Sequence, residues 1–349
     1  MIPEDWLDTL AMRFTRRGVG VAVVAALDGE TGSRLHGQVH SLGPPPTENT
    51  LFEIGDLTQI FTSILLALMV GRERLAFDQP VSSIVPELEG LPNWITPMRL
   101  ATHTAGLPRV PAEIARRSAL NMTNPYADFG IDDLLAWASR FRPKRPPAQG
   151  TVTYSIVGMG LLGYVLEEIN RKRLNQLFAE EICQPLALAD TGYRVEDDGE
   201  ARLATPHDGR GRTTELWTYG ALAGAGGLIS SPADITKLLS ALIDAGDRDD
   251  ELAKAITETL QIRRQPQQAE GEGGGLGWSI VRAGNPPAFV FSHIGRTRGS
   301  QAFMMAAPQP KLAAAVLANT GPRARDTLSP PLKQMVRTFA MAWAEVPER

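Results

Sequence analysis

The residue best placed for chemistry is Asp56, which stands where a short apolar run meets a helical pattern. The run at 51–54 ends at Gly55, and apolar residues then recur at the spacing of a helix buried on one side. We expect the carboxylate of Asp56 to project into whatever cleft the start of this helix faces. There it could act as a general base or as a nucleophile, or it could simply cap the helix and meet its positive end.

The stretch from Phe52 to Gln59 resembles the motif FxIGS-x-T-K followed by an apolar helix. That motif is the signature of serine β-lactamases of the AmpC type and of related penicillin-binding proteins and esterases. In that family the Ser is acylated, and the Lys one helical turn later helps to take its proton. Asp56 stands at the Ser position here and Gln59 at the Lys position. The resemblance therefore implies a divergent member that lacks the acyl-serine machinery.

Two further family motifs are similar to stretches of this chain. The Tyr-x-Asn motif corresponds to Tyr154-Ser155-Ile156, which keeps the Tyr and replaces the Asn amide by an aliphatic side chain. The Lys/His-x-Gly motif corresponds to residues 293–295 and survives as His293-x-Gly295. Because the family places its three motifs around one cleft, the resemblance implies that Asp56, Tyr154 and His293 form an acid/base set.

Five other residues are predicted to bind substrate in that cleft: Gln59, Ile156, Gly295, Arg296 and Arg298. We expect Gln59 to hydrogen-bond Asp56 or Tyr154, since an amide does not titrate. Arg296 and Arg298 could bind an anionic group of the substrate, or they could be solvated loop residues. His103, within a stretch that resembles the family's LLSHTSGLP, is expected to be a structural hydrogen-bonding residue.

The order of elements predicts strands at both ends of the chain and helices in the middle. Strand patterns cover 19–27, 33–40, 276–281, 288–293, 300–306 and 312–318. Helical patterns cover 3–17, 56–71, 131–141, 154–170, 174–183, 232–245 and 330–343. The simplest packing is one antiparallel sheet built from both ends and flanked by the terminal helices, with an inserted helical lobe.

The resemblance covers roughly residues 10–340 and implies the same α+β, β-lactamase/transpeptidase-like fold. We predict a single domain over 1–349 with two lobes. Residues 1–55 and 276–349 would form the α/β lobe, and residues 56–275 the mainly helical, all-α lobe.

Composition narrows the choice of partners and compartment. The net charge of −4 and the pI near 5.8 give no sign of nucleic-acid binding. The sequence contains no run of about 18 apolar residues, so no membrane span is predicted. The single Cys183 excludes an internal disulfide, and the N-terminus shows no signal peptide, so we expect a cytoplasmic protein. The histidines lack ligand spacing, so neither a metal nor another cofactor is expected, and the oligomeric state is not indicated.

Two functional hypotheses follow. In the first, the cleft does acid/base chemistry on a small carbonyl-containing molecule: isomerisation, elimination, cyclisation, or hydrolysis without an acyl-serine. Asp56 would be the base, or a carboxylate nucleophile, and Tyr154 or His293 the acid or oxyanion donor. In the second, the protein is a pseudoenzyme that binds a ligand or a protein partner in the old cleft. A nucleophilic Ser63 or Ser155 in another arrangement is a weaker third possibility.

Overall fold

Strands from near both ends of the chain meet in one seven-stranded antiparallel sheet. The computed structural model describes residues 2, 4–12, 19–40, 42–120, 123–194, 200–264, 273–283 and 288–322. The strand order is β2 (Glu30–His36), β1 (Val21–Leu27), β9 (Leu312–Ala318), β8 (Gln301–Ala307), β7 (Ala288–Arg296), β6 (Ser279–Ala283) and β5 (Gly273–Gly274). Each neighbouring pair is antiparallel, which confirms the predicted α+β architecture. A separate two-stranded sheet pairs β3 (Phe52–Gly55) with β4 (Leu228–Ser230).

The residues between these strands are mainly helical. The described helices are α1 (Glu4–Met12), α2 (Thr58–Gly71), α3 (Val81–Ile84), α4 (Pro97–Ala101), α5 (Ala112–Leu120), α6 (Ile131–Arg140), α7 (Ile156–Asn170), α8 (Leu174–Phe178), α9 (Pro232–Asp244) and α10 (Glu251–Thr259). Among them, none is both long and apolar enough to cross a bilayer. The predicted helix at 330–343 lies outside the described residues. Helix α10 was not predicted, although Asp250 caps it by accepting the Ala253 N–H at 3.0 Å.

The central strand β1 is buried on both sides because a hydrophobic core packs against each face of the sheet. Ala22, Val24 and Ala26 belong to the large core that includes the apolar residues of α2. The alternate residues of β1 pack with Trp6 and Leu10 of α1 in a second core. A strand covered on both faces reads as a continuous apolar run, which is why the sequence VAVVAAL predicts it well.

Helix α2 is enclosed on all sides, and the prediction of a helix buried on one side is wrong here. Every residue from 58 to 69 is buried, including Thr58, Gln59, Thr62 and Ser63. Two of these polar side chains bond to backbone carbonyls: Thr58 Oγ1 donates to Gly55 O at 2.8 Å, and Thr62 Oγ1 donates to Gly224 O, 162 residues away, at 2.7 Å. The polar residues of α2 therefore face other parts of the protein, and the end that carries Asp56 is set deep in the molecule.

Candidate active site

Two glycines press the start of α2 against strand β7. Gly55 has φ of +51°, and a Cβ there would lie 2.8 Å from Arg296 N. A Cβ at Gly295 would lie 1.9 Å from Ile54 O. Only residues without a side chain allow this approach of two backbones. Gly295, predicted to bind substrate, thus lies against β3, where it sets the position of the neighbouring Asp56.

The carboxylate of Asp56 accepts hydrogen bonds from two tyrosines. Tyr154 Oη donates to Oδ2 at 2.6 Å, and Tyr219 Oη donates to Oδ1 at 3.3 Å. The side chain does not cap its helix: Leu57 occupies the N-cap position of α2, and no side-chain cap bond is made there. Asp56 is 6% exposed, so its charge is held by phenol groups inside the protein. The capping alternative for Asp56 is therefore wrong.

Gln59 completes a chain of hydrogen bonds that ends on Asp56. Its Nε2 donates to Tyr154 Oη at 2.7 Å, which agrees with the predicted partner, and approaches Ala225 O at 3.4 Å. An amide nitrogen is only a donor, so Tyr154 must accept from Gln59 and donate to Asp56. This polarity aims the phenolic proton of Tyr154 at the carboxylate.

The electrostatics of the site keep a proton on Tyr154 and make Asp56 titrate close to neutrality. Burial raises the pKa of Asp56 from 3.8 to about 6, against the opposing effects of the Tyr154 hydrogen bond, Arg109, the Tyr219 hydrogen bond and Arg296. Burial, and next the negative charge of Asp56, raise the pKa of Tyr154 well above 10. Asp56 is therefore mostly a base at pH 7, and Tyr154 is a proton donor.

His293 is a neutral, buried imidazole with a defined tautomer. Its Nδ1 lies 2.6 Å from Gly277 O, and a carbonyl can only accept, so Nδ1 carries the proton. Burial lowers the pKa of His293 to about 4, against the opposing effects of the backbone groups of Gly277 and Asp56. Its Nε2 is buried without a hydrogen-bond partner in the described structure. An Nε2 that carries no proton can only accept a hydrogen bond, so this geometry disagrees with the predicted acid or oxyanion-donor role.

Three other predicted site residues lie in different surroundings. Ile156, the first residue of α7, is 1% exposed and packs in the main hydrophobic core, so its prediction as a substrate contact is wrong. Arg298 Nη2 lies 3.8 Å from Asp208 Oδ2, an ion pair between a partly exposed arginine and a buried aspartate. Arg296 is half-buried at the end of β7 and acts electrostatically on Asp56.

Comparison with known proteins identifies the family to which this chain belongs. The family model described as Beta-lactamase matches residues 9–334. The chain belongs to the beta-lactamase family. It is 26% identical over 294 residues to a D-alanyl-D-alanine-carboxypeptidase/endopeptidase of Escherichia coli (strain K12), covering 80% of this chain and 74% of that protein. It is 32% identical over 178 residues to a beta-lactamase of Providencia stuartii, covering 50% and 41% of the two chains.

Solved structures of beta-lactamase family members share the fold. A class C beta lactamase from Rhodobacter sphaeroides superimposes with a TM-score of 0.78 at 24% identity, covering 97% of this chain and 96% of that chain. A beta-lactamase/D-alanine carboxypeptidase from Pseudomonas syringae gives a TM-score of 0.78 at 20% identity, covering 96% and 98%. At these identities the likeness establishes the shared architecture alone.

In this beta-lactamase family member, Tyr219 and Arg109 were missed by the sequence reasoning. Tyr219 is 3% exposed and is the second phenol on Asp56. The Arg109 guanidinium carbon lies 5.0 Å from the centroid of the Tyr154 ring. Arg109 directly follows LATHTAGLP, the stretch around His103 that resembles a family motif, and Tyr219 lies four residues before the Gly-rich run at 223–231. Position beside a family-like stretch was the available clue.

His103 behaves as the structural residue that was predicted. Its Nδ1 accepts the Ser155 N–H at 3.2 Å, and its ring centroid lies 4.6 Å from that of Tyr154. Burial, followed by the influence of His293 and Arg109, lowers the pKa of His103 to about 3. The ring is therefore a neutral wall that supports Tyr154.

A second buried carboxylate, Glu53, ties together the segments around the site. Its Oε1 accepts the Trp217 N–H at 2.6 Å. Its Oε2 accepts the hydroxyls of Thr297 at 2.9 Å and Ser300 at 2.8 Å. Burial raises the pKa of Glu53, while these three bonds oppose the rise. Glu53 thus joins the segment that carries Tyr219 to the turn after β7, and both of its oxygens are occupied by structural partners. Across the described ranges, no group of three or more His, Cys, Asp or Glu residues could hold a metal ion.

Proposed function

We propose that this protein performs general acid–base chemistry on a small carbonyl-containing molecule, with Asp56 as the base and no acyl-serine intermediate. The observation that carries the proposal is the chain from Gln59 through Tyr154 to Asp56, with distances of 2.7 and 2.6 Å. By motif, Asp56 takes the place of the family's Ser nucleophile and Gln59 the place of its Lys. A carboxylate with a pKa of about 6 suits proton transfer near neutral pH.

The hydrogen-bond polarity indicates how the proton would move. Ionised Asp56 would take a proton from the carbon next to a carbonyl group, which leaves negative charge on the substrate oxygen. Once protonated, Asp56 needs fewer hydrogen-bond donors. The hydroxyl of Tyr154 or Tyr219 would then be released to donate to the developing oxyanion. Return of the proton to another atom gives isomerisation, and loss of a leaving group gives elimination.

His293 would assist this chemistry as an acceptor. Its bare Nε2 can receive a hydrogen bond from a substrate hydroxyl or from water, whereas its pKa of about 4 removes it from acid catalysis at neutral pH. We further propose that the substrate is a small molecule and that the protein acts in the cytoplasm. The second proposal is supported by the single, buried Cys183.

Hydrogen–deuterium exchange tests the proposal without knowledge of the natural substrate. Small ketones and keto acids, among them levulinate and levulinamide, are incubated with the protein in D2O, and loss of their α-proton NMR signals is followed. We expect wild-type protein to accelerate exchange, with the rate rising through pH ~6 as Asp56 ionises. Asp56→Asn should lower the rate by about 100-fold or more. Asp249→Asn is the matched control, because that side chain is 97% exposed.

Three outcomes would contradict the proposal. Exchange by Asp56→Asn at the wild-type rate would remove Asp56 from the chemistry. Turnover of a chromogenic cephalosporin with a covalent protein adduct would indicate acyl-enzyme chemistry at another residue, such as Ser63 or Ser155. Tight ligand binding with no exchange by wild-type protein would favour the alternative function, a pseudoenzyme that binds its ligand in the old cleft. Asp56 and Gln59 at the motif's Ser and Lys positions also support that alternative.

A further inference from the structure

Arg109 is fixed by its backbone beside Tyr154. Its carbonyl oxygen accepts the Ile156 N–H at 2.8 Å and lies 3.3 Å from the Val157 nitrogen, at the start of α7. From this anchor, its guanidinium carbon reaches 5.0 Å from the centroid of the Tyr154 ring. The positive charge therefore lies over the ring whose hydroxyl binds Asp56.

No acid neutralises this charge within the part of the chain that the structure describes. The Arg109 side chain is exposed, and no described Asp or Glu oxygen lies within 4.0 Å of its guanidinium. Arg298, by contrast, lies 3.8 Å from Asp208. An exposed guanidinium over an aromatic face, with no protein anion beside it, presents its N–H groups to the solvent side of the site.

The same charge is felt at Asp56. Arg109 and Arg296 both favour the ionised form of Asp56, and they come from two walls: the loop after α4 and the end of β7. Asp56 itself is bonded to Tyr154 and Tyr219, so it is not a direct partner of Arg109. A molecule that enters beside Asp56 thus meets positive potential and one guanidinium with free hydrogen-bonding capacity.

We infer that Arg109 is a specificity-determining residue that binds a carboxylate of the substrate, which would make the substrate a short keto acid. This inference rests on the proposed function, because it assigns the substrate class of the same site. A guanidinium matches a carboxylate with two parallel N–H···O bonds, which a neutral amide cannot reproduce. The carboxylate would be held at Arg109 while the carbon next to the carbonyl group lies at Asp56.

The test compares binding of levulinate with that of levulinamide, which has the same shape and no charge. Affinities are measured by NMR titration of the wild-type protein. We expect levulinate to bind more tightly and Arg109→Gln to weaken its binding by about tenfold or more, with little change for levulinamide. Arg109→Lys should keep part of the preference, since it keeps the charge and loses the planar fork.

The matched control is Arg171→Gln. Arg171 is exposed and follows the last residue of α7, on the order of 20 Å along the helix from Ile156. The Arg171→Gln variant should bind levulinate with the same affinity as the wild-type protein. Equal levulinate affinity in Arg109→Gln and wild type would overturn the inference. The inference would also be overturned if the wild-type protein did not bind levulinate at a concentration of about 10 mM, because a dissociation constant above that value is too weak for a built site.

The binding readout is independent of the proposed chemistry. A levulinate preference that depends on Arg109, without α-proton exchange, would support the carboxylate site and contradict the proposed catalysis. Exchange that depends on Asp56 and is equally fast in wild type and Arg109→Gln for both compounds would support the catalysis and overturn the role of Arg109.

Discussion

Replacing Asp56 by Asn should stabilise the protein, although it removes the proposed base. Asp56 is 6% exposed, and burial raises its pKa from 3.8 to about 6. A difference of about two pKa units at about 1.4 kcal/mol each means that the buried charge costs the folded state about 3 kcal/mol. An amide has no charge to bury. Its oxygen can accept from Tyr154, but its NH2 needs a new partner, so we expect a net gain of about 1–3 kcal/mol at pH 7.

The sign follows from which state binds the proton. Between the unfolded pKa of 3.8 and the folded value of about 6, folded Asp56 holds a proton that the unfolded chain has lost. Folding is favoured below this window, and the stability contributed by the protonated carboxyl is lost as pH rises through it. Asn does not titrate. The advantage of Asp56→Asn should therefore be largest above pH ~6 and disappear towards pH ~4.

Urea denaturation of both proteins across this pH range, followed by tryptophan fluorescence, measures the difference in the free energy of unfolding. Asp249→Asn, at a side chain that is 97% exposed, controls for the general effect of removing one negative charge. The reasoning about burial would be refuted if Asp56→Asn were less stable than wild type at neutral pH. A stability difference that did not change with pH would refute it equally.

Three further predictions concern the residues around Asp56. Tyr154→Phe removes the 2.6 Å donor to Asp56, so the pKa of Asp56 and the midpoint of the exchange pH profile should rise by about 1–2 units; an unmoved midpoint would show that this bond does not tune the carboxylate. Glu53→Gln must direct its NH2 either at the Trp217 N–H or at the Thr297 and Ser300 hydroxyls. Because Thr297 Oγ1 already accepts two backbone N–H groups, urea denaturation should show a loss of about 1–3 kcal/mol, whereas wild-type stability would contradict the positioning role. Gly295→Ala places a Cβ 1.9 Å from Ile54 O, so its urea midpoint should fall sharply, and a folded variant of wild-type stability would disprove the close approach.

The fold could be predicted from the sequence because its signals are local and repeated. Strand patterns at both ends of the chain predicted the antiparallel sheet that the structure contains. Helix α9 carries a similarly local signal, since Ser231 directly precedes it and its Oγ accepts the Asp234 N–H at 3.2 Å. Such features depend on residues a few positions apart, whose physical effect is nearly the same in any fold.

The enclosure of α2 could not be predicted in the same way. Its apolar positions alone suggest one buried face, while Gln59, Thr62 and Ser63 suggest an exposed one. Only the packing of α2 among other elements shows that these polar groups are buried too. Ile156 was misassigned for a related reason: a motif position gives the place of a residue along the chain, but not the direction of its side chain.

The identity of the central group was determined by the sequence itself. An acid at position 56 and an amide at position 59, within an otherwise family-like motif, are chemical facts that no fold can change. What each group bonds to was decided by the tertiary structure. Tyr154 and Tyr219 reach Asp56 across separations of 98 and 163 residues. Bonds over such separations, and the burial that raises the pKa of Asp56, exist only in the folded protein, because they depend on distance and desolvation rather than on neighbours along the chain.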